Sequence, residues 1–291
     1  MEASIPTTAV TAWKPAVPGV REVLHGDFVE HAYPPHTHDT WTLFVVDAGA
    51  IRYDLDRQER GADPAMVSLL PPFVVHDGRP ATTRGYRTRV IYLEPEVIGQ
   101  ARIGPAVDAP VLSDPRLRTA VGRLHDELGC VDEALAAETH LAFVAERIRE
   151  LLGERRFPGG QALIPDLAEH ARAILDARLF EPVTMAALAA ALGTGPTHVA
   201  RAFSEAFGIP PHRYVLGRRL DVARDRILAG QPLAAVAAEV GFSDQAHFTR
   251  RFRRFLGTTP GRFAEGARSR RRPSDVPVSA PPGSGGRRRS S

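Results

Sequence analysis

His36, His38 and His76 are the residues of this 291-residue chain whose type and spacing could do chemistry. The first two lie one residue apart in PPHTHDTWT (34–42), and the third lies in LLPPFVVHDGRP (69–80). Three imidazoles can hold Zn²⁺ or Fe(II). Neutral histidine also offers one donor and one acceptor per ring, which suits recognition of an organic ligand. A third reading gives each ring a plain hydrogen-bonding role in the surface or core. An ion site stays open, but the three together favour the rim of a ligand pocket, the reading adopted for them. Thr42, Arg79, Tyr86 and Thr88 are further candidates to line such a pocket, with Trp41 on the outer face. Cys130 is the single cysteine, which excludes an intramolecular disulfide and a cysteine-rich zinc site.

The elements that must hold these residues are short. Residues 1–20 read as a flexible Pro/Thr/Ala-rich arm. Over 21–112, runs such as VLHGDFVEHAY, WTLFVVDAG, AIRYDLD, MVSLLPP and YRTRVIYLE are rich in β-branched and aromatic residues and separated by Gly, Pro and Asp. Such punctuation predicts a small barrel or sandwich. If Thr40–Val46 is one strand, Thr42, Phe44 and Val46 share a face. Over 113–156 the period changes to that of helices, with Leu135, Leu141, Val144, Ile148, Leu151 and Leu152 in one stripe. That stripe serves packing on the chain's own strands, dimerisation between two copies, or both. FPGGQALIP (157–165) reads as a linker, 166–265 as a second helical block, and 266–291 as a disordered basic tail.

The N-terminus lacks the basic and apolar regions of a secretory signal, and no eighteen consecutive apolar residues occur. The expectation is a cytoplasmic protein with no membrane partner. Net charge is unevenly shared. Residues 166–291 carry 20 arginines against 11 acidic groups, a net +9, whereas residues 1–165 carry −6. A basic half points to a polyanion, although seven of those arginines lie in the last 24 residues, where a solvated tail explains them as well.

The basic half repeats itself. TMAALAAALGTGPTHVARAFSEAFGIPP (184–211) is followed by PLAAVAAEVGFSDQAHFTRRFRRFLGTTP (232–260). Met185, Leu188, Ala189, Leu192 and Gly193 match Leu233, Val236, Ala237, Val240 and Gly241, while Arg201, Phe203, Gly208 and Pro211 match Arg250, Phe252, Gly257 and Pro260. Each copy is an apolar helix, a glycine turn and a second helix ending in glycine, the sequence form of a helix-turn-helix. Small Ala189 and Ala237 allow close crossing. Val199 with Phe203, and Phe248 with Phe252, face inward. The outward faces carry Thr197, His198 and Arg201 in one copy. In the other they carry Gln245, Ala246, His247 and Arg250, with Arg251, Arg253 and Arg254 nearby. Glutamine and arginine read adenine and guanine edges in a major groove, and flanking arginines suit phosphates. PHRYVLGRRLDVARDRILAG (211–230) predicts one longer helix that spaces the two readers.

GFSDQAHFTRRFRRFLGTTPGRF resembles the signature of AraC/XylS-type transcription regulators over about 100 residues, 165–265. Residues 31–95, with PPHTH, Gly49 and His76, resemble the cupin-like sensor barrel of many such proteins. The resemblance implies an α+β chain with a cupin-like β-barrel, a central helix pair and an all-α domain with two helix-turn-helix units. It further implies binding of double-stranded promoter DNA, a small-molecule effector, activation through RNA polymerase, a homodimer, no catalysis and no cofactor. The family's base-reading positions fall on Thr197, Arg201, Gln245, Ala246 and Arg250. Two features depart from the pattern. GTGPTH (193–198) is small and proline-bearing where larger side chains are common, and Thr42 stands where metal cupins place a glutamate. A metal-dependent enzyme with an attached DNA-binding domain, and a constitutive regulator whose barrel only dimerises, are the rival readings.

Overall fold

The computed structural model describes residues 9–130, 133–153 and 166–271. The 157–165 linker and the tail from 272 onward lie outside them. The strands are β1 (Ala9–Trp13), β2 (Val20–Phe28), β3 (Tyr33–His36), β4 (Trp41–Gly49) and β5 (Ile51–Leu55). They continue with β6 (Gln58–Ala62), β7 (Val67–Leu70), β8 (His76–Pro80), β9 (Tyr86–Leu93) and β10 (Val111–Leu112). One sheet has the order β1-β2-β9-β4-β7-β10 and the other β3-β8-β5-β6. Every pairing is antiparallel. The α+β reading stands, with two facing sheets as the form the expected barrel takes.

Alternation along β4 explains the layering. Phe44 and Val46 join Tyr53, Leu55, Tyr86 and Val90 between the sheets. Trp41, Leu43 and Val45 face the other way and meet helices α3 (Pro115–Leu128) and α4 (Ala134–Leu152). Two short helices, α1 (Pro95–Ile98) and α2 (Ile103–Asp108), lead into that layer. Trp41 is therefore on the outer face of the sandwich, as alternation requires, yet fully buried beneath the helix pair. Pro115 opens α3, and the Asp114 carboxylate caps it by accepting from Leu117 N at 2.9 Å. On α4, Leu141, Val144, Ile148 and Leu152 are buried against the chain's own sheet, whereas Leu135 and Phe143 stay exposed at 78% and 58%.

The arm is a correction at its described end. Ala9–Trp13 pairs with Asp27 to Val23 as an edge strand, and the Trp13 indole donates to Leu128 O at 2.8 Å. AVTAW is too short and too weakly bounded to declare itself as a strand.

The C-terminal block contains α5 (Asp166–Ala177), α6 (Met185–Ala191), α7 (Pro196–Phe207), α8 (Pro211–Leu228), α9 (Leu233–Glu239), α10 (Gln245–Leu256) and α11 (Pro260–Arg271). Residues 266–271, read as tail, continue α11, and Ala267 is buried. Core residues run without a break from the sandwich interior into α8–α11. Two glycines make this close packing feasible. Gly208 and Gly257 end α7 and α10 with left-handed φ of 68° and 72°. A Cβ on them would lie 2.5 Å from Val75 Cγ1 and 2.8 Å from the His31 ring. A side chain at either site is excluded by backbone and by contact.

Candidate functional site

The two predicted readers form as helix pairs, α6 with α7 and α9 with α10. Ala189 and Ala237 are buried at the crossings, and Val199, Phe203, Phe248 and Phe252 are fully buried. Thr184 caps α6 by accepting from Ala187 N at 3.1 Å, and Asp244 caps α10 by accepting from His247 N at 2.6 Å. Position 195 supplies no such side chain, since Gly195 precedes Pro196 at the start of α7. Thr197, His198 and Arg201 on α7 are exposed, as are Gln245, Ala246, Arg250, Arg251, Arg253 and Arg254 on α10. His247 is half-buried. Its ring meets Phe242 edge-on at 5.4 Å and its Nε2 accepts from Arg251 Nε at 3.2 Å. It supports Arg251 rather than standing free. His247, Arg251 and Arg254 also line a cleft of about 720 Å³ between the two reader units.

The three histidines meet at one end of the sandwich. Their ring centroids lie 4.7 Å apart for His36–His38, 4.4 Å for His36–His76 and 5.3 Å for His38–His76. All three are buried. β3 and β8 bring His36 opposite His76, and the chain leaving β3 carries His38 beside Tyr92 on β9. The mouth is closed by α8. Asp221 Oδ1 accepts from His38 Nδ1 at 3.0 Å, Arg218 Nη1 lies 3.0 Å from Asp39 Oδ1, and Arg224 Nη2 donates to Glu22 Oε1 at 2.5 Å. Arg224 also lies over the Tyr92 ring, 4.5 Å from its centroid. Phe255 of α10 meets His36 at 4.7 Å.

Two family models match the chain, an AraC-like ligand binding domain over residues 18–152 and a helix-turn-helix domain over residues 188–266. The chain belongs to the AraC family of transcription regulators. It is similar to the probable transcriptional regulator LumQ of Photobacterium leiognathi, 47% identical over 62 residues, which is 21% of this chain and 25% of LumQ. It is also similar to the HTH-type regulator YbfI of Bacillus subtilis, 24% identical over 226 residues, or 74% of this chain and 81% of YbfI. Among solved structures, apo ToxT of Vibrio cholerae shares the fold at a TM-score of 0.59 and 11% identity, over 91% of this chain and all of that one. No helix among the described residues is long and apolar enough to cross a membrane.

This AraC-type chain does not gather all seven predicted pocket residues. Thr42 faces the interior opposite Tyr92, so it lies near the histidine end, and its buried Oγ1 has no hydrogen-bond partner among the described residues. Thr88 and Tyr86 face the same interior farther along β9, and Tyr86 is six residues, roughly 20 Å, from Tyr92. The Thr88 hydroxyl is already used, donating to Val45 O at 2.8 Å. Arg79 is a correction. On β8, His76 and Gly78 face inward, so alternation turns Arg79 outward into ion pairs with Glu59 at 2.5 Å and Asp77 at 3.4 Å.

Burial, then the neighbouring imidazoles, push His36 well below the usual histidine range, and burial and His38 bring His76 to about 3. Both rings are neutral at pH 7. Burial opposes the charge on Asp221, but His38, Arg224 and Arg218 outweigh it and hold the carboxyl below its ordinary range. The residues missed by sequence reasoning in this AraC-type chain are Glu22, Arg218, Asp221 and Arg224. Arg218, Asp221 and Arg224 recur every three residues along α8, near buried Tyr214, Gly217 and Leu220. Polar residues on the buried face of an amphipathic helix signal a polar partner.

Proposed function

We propose that this chain is an effector-responsive activator in which α8 links sensing to DNA reading. The observation that carries this is the double role of one helix. α8 joins the two reader units in sequence, and it also closes the histidine mouth through Asp221, Arg218 and Arg224. An 18-residue helix spans about 27 Å, close to the roughly 34 Å of one DNA turn. Thr197, His198, Arg201, Gln245, Ala246 and Arg250 then address bases, while Arg251 and Arg254 address phosphates.

The effector acts at the mouth lined by His36, His38, His76 and Thr42. At the His38–Asp221 seam the free space is only about 20 Å³, room for a single water. A larger effector must lift α8 to enter, so it binds the docked and lifted arrangements unequally. That difference in affinity is what lets it shift their balance. With α8 released, the readers engage a promoter and recruit RNA polymerase.

The test begins with genome-wide mapping of binding sites, followed by affinity measurement on a mapped promoter. Arg250→Ala is expected to weaken binding to the native site by about 1–3 kcal/mol and relax preference at one base pair. Equal affinity for the native site would remove Arg250 from the reading set. Two copies pair through the outer side of α4, where Leu135 and Phe143 are exposed. Phe143→Glu should convert a dimer to a monomer in sedimentation. A monomeric parent chain would refute the pairing.

A further inference from the structure

We propose that the mouth holds one divalent transition metal ion, bound through Nε2 of His36, His38 and His76 and braced from the DNA-reading half by Asp221. Hydrogen-bond chemistry supplies the argument. His36 Nδ1 is 2.7 Å from Pro34 O, His76 Nδ1 is 3.0 Å from Val74 O, and His38 Nδ1 is 3.0 Å from Asp221 Oδ1. Carbonyl and ionised carboxylate oxygens only accept, so each Nδ1 carries the proton. A ring that carries no second proton then turns a bare Nε2 lone pair the other way. His36 Nε2 and His38 Nε2 face one another at 3.1 Å. Two acceptors that close repel unless positive charge lies between them.

One ring nitrogen from each of the three residues lies within 4.8 Å of the others. Metal–nitrogen bonds of about 2.0–2.1 Å in a tetrahedron put neighbouring donor atoms roughly 3.3 Å apart. The His36–His38 pair already has that spacing, and a small rotation of His76 completes the set. A proton shared by His36 and His38 relieves one pair of lone pairs, whereas an ion engages all three rings. Three imidazoles select Zn, Cu, Ni or Fe over Mg and Ca.

Metal-bound histidines donate their second N–H to carbonyls or carboxylates, which fixes the ring and strengthens the ligand. All three rings have such a partner here, and the one carboxylate among these partners comes from α8. Asp221 is a positioning residue: the ion orients His38, His38 holds Asp221, and Asp221 holds α8 down. Unlike an organic molecule, a single ion fits the docked arrangement without lifting the helix. The site stands on this geometry, and its use in regulation rests on the reading of α8 given above.

The experiment uses the full chain without a histidine tag, stripped with chelator and titrated with Zn²⁺ and Co²⁺. One ion per chain is expected, with a cobalt visible spectrum of nitrogen ligation. Binding should be lost in His76→Ala, and Asp221→Asn should bind about 10–100-fold more weakly. No stoichiometric uptake by the unsubstituted chain, or undiminished uptake by His76→Ala, overturns the site. The spectrum of the unsubstituted chain decides even where the alanine variant fails to fold. Unchanged affinity in Asp221→Asn overturns the brace. Promoter affinity with and without Zn²⁺ separates the two levels. Tight metal binding with constant promoter affinity upholds the site and refutes its regulatory use.

Discussion

Arg224→Met should destabilise the docked protein by about 3–5 kcal/mol, the cost of leaving one member of a buried ion pair without its partner. Both groups are buried, at 3% exposure each, and Arg224 donates to Glu22 at 2.5 Å across the seam between sensor and reader. The substitution leaves the buried Glu22 carboxylate near Asp221 and Asp225 without the guanidinium that pairs with it. Two responses relieve that strain: Glu22 takes up a proton, or α8 lifts and water returns. Thermal unfolding reports the first loss, and faster proteolysis between the halves reports the second. The double variant Glu22→Leu with Arg224→Met should recover most of the stability, since apolar replacement of a whole buried pair is often neutral or better. A melting temperature unchanged in the single variant would show that the docked arrangement contributes nothing to the ground state.

Phe252→Ala is expected to cost a similar amount, about 3–5 kcal/mol, for a different reason. The ring is fully buried, and it packs edge-on against Phe248 and Phe263 at 5.5 Å each. Its removal leaves a cavity beneath α10, so the helix carrying Gln245 and Arg250 loses its seat. Specific DNA binding should fall with stability, unlike Arg250→Ala, which touches only the exposed face. Both tryptophans, Trp13 and Trp41, lie in the sensor half. Because the core continues across the seam, their emission should change in the same transition as helix loss. Separate transitions would mean that the two halves melt independently.

The reader units were legible because the chain states them twice. The offset between copies places Ala189 with Ala237 and Phe203 with Phe252, and inward and outward faces follow from helical period alone. The strands were legible as a set, since β4 alternates cleanly between two buried layers. The direction of Arg79 was not, because HDGRP gives no hydrophobic alternation to set its register. Sequence also could not show that α8 faces two ways. Nothing in the spacer reading of this helix singles out Arg218 and Arg224 until Asp39 and Glu22, about 200 residues away in sequence, are placed opposite them. The histidine cluster was visible as composition, but the carboxylate that completes it lies in the other half of the chain.

The sharing of α8 also limits how such proteins can be recombined. A chimera that takes its readers from a relative inherits that relative's α8, and with it a foreign lid for the native sensor. Cutting before α8 separates the first reader from the helix that continues it, and cutting after α8 severs the second. On the proposed coupling through α8, promoter choice and effector choice are not exchangeable cassettes. A graft must carry matched residues at 22, 39, 218, 221 and 224 on both sides of the seam.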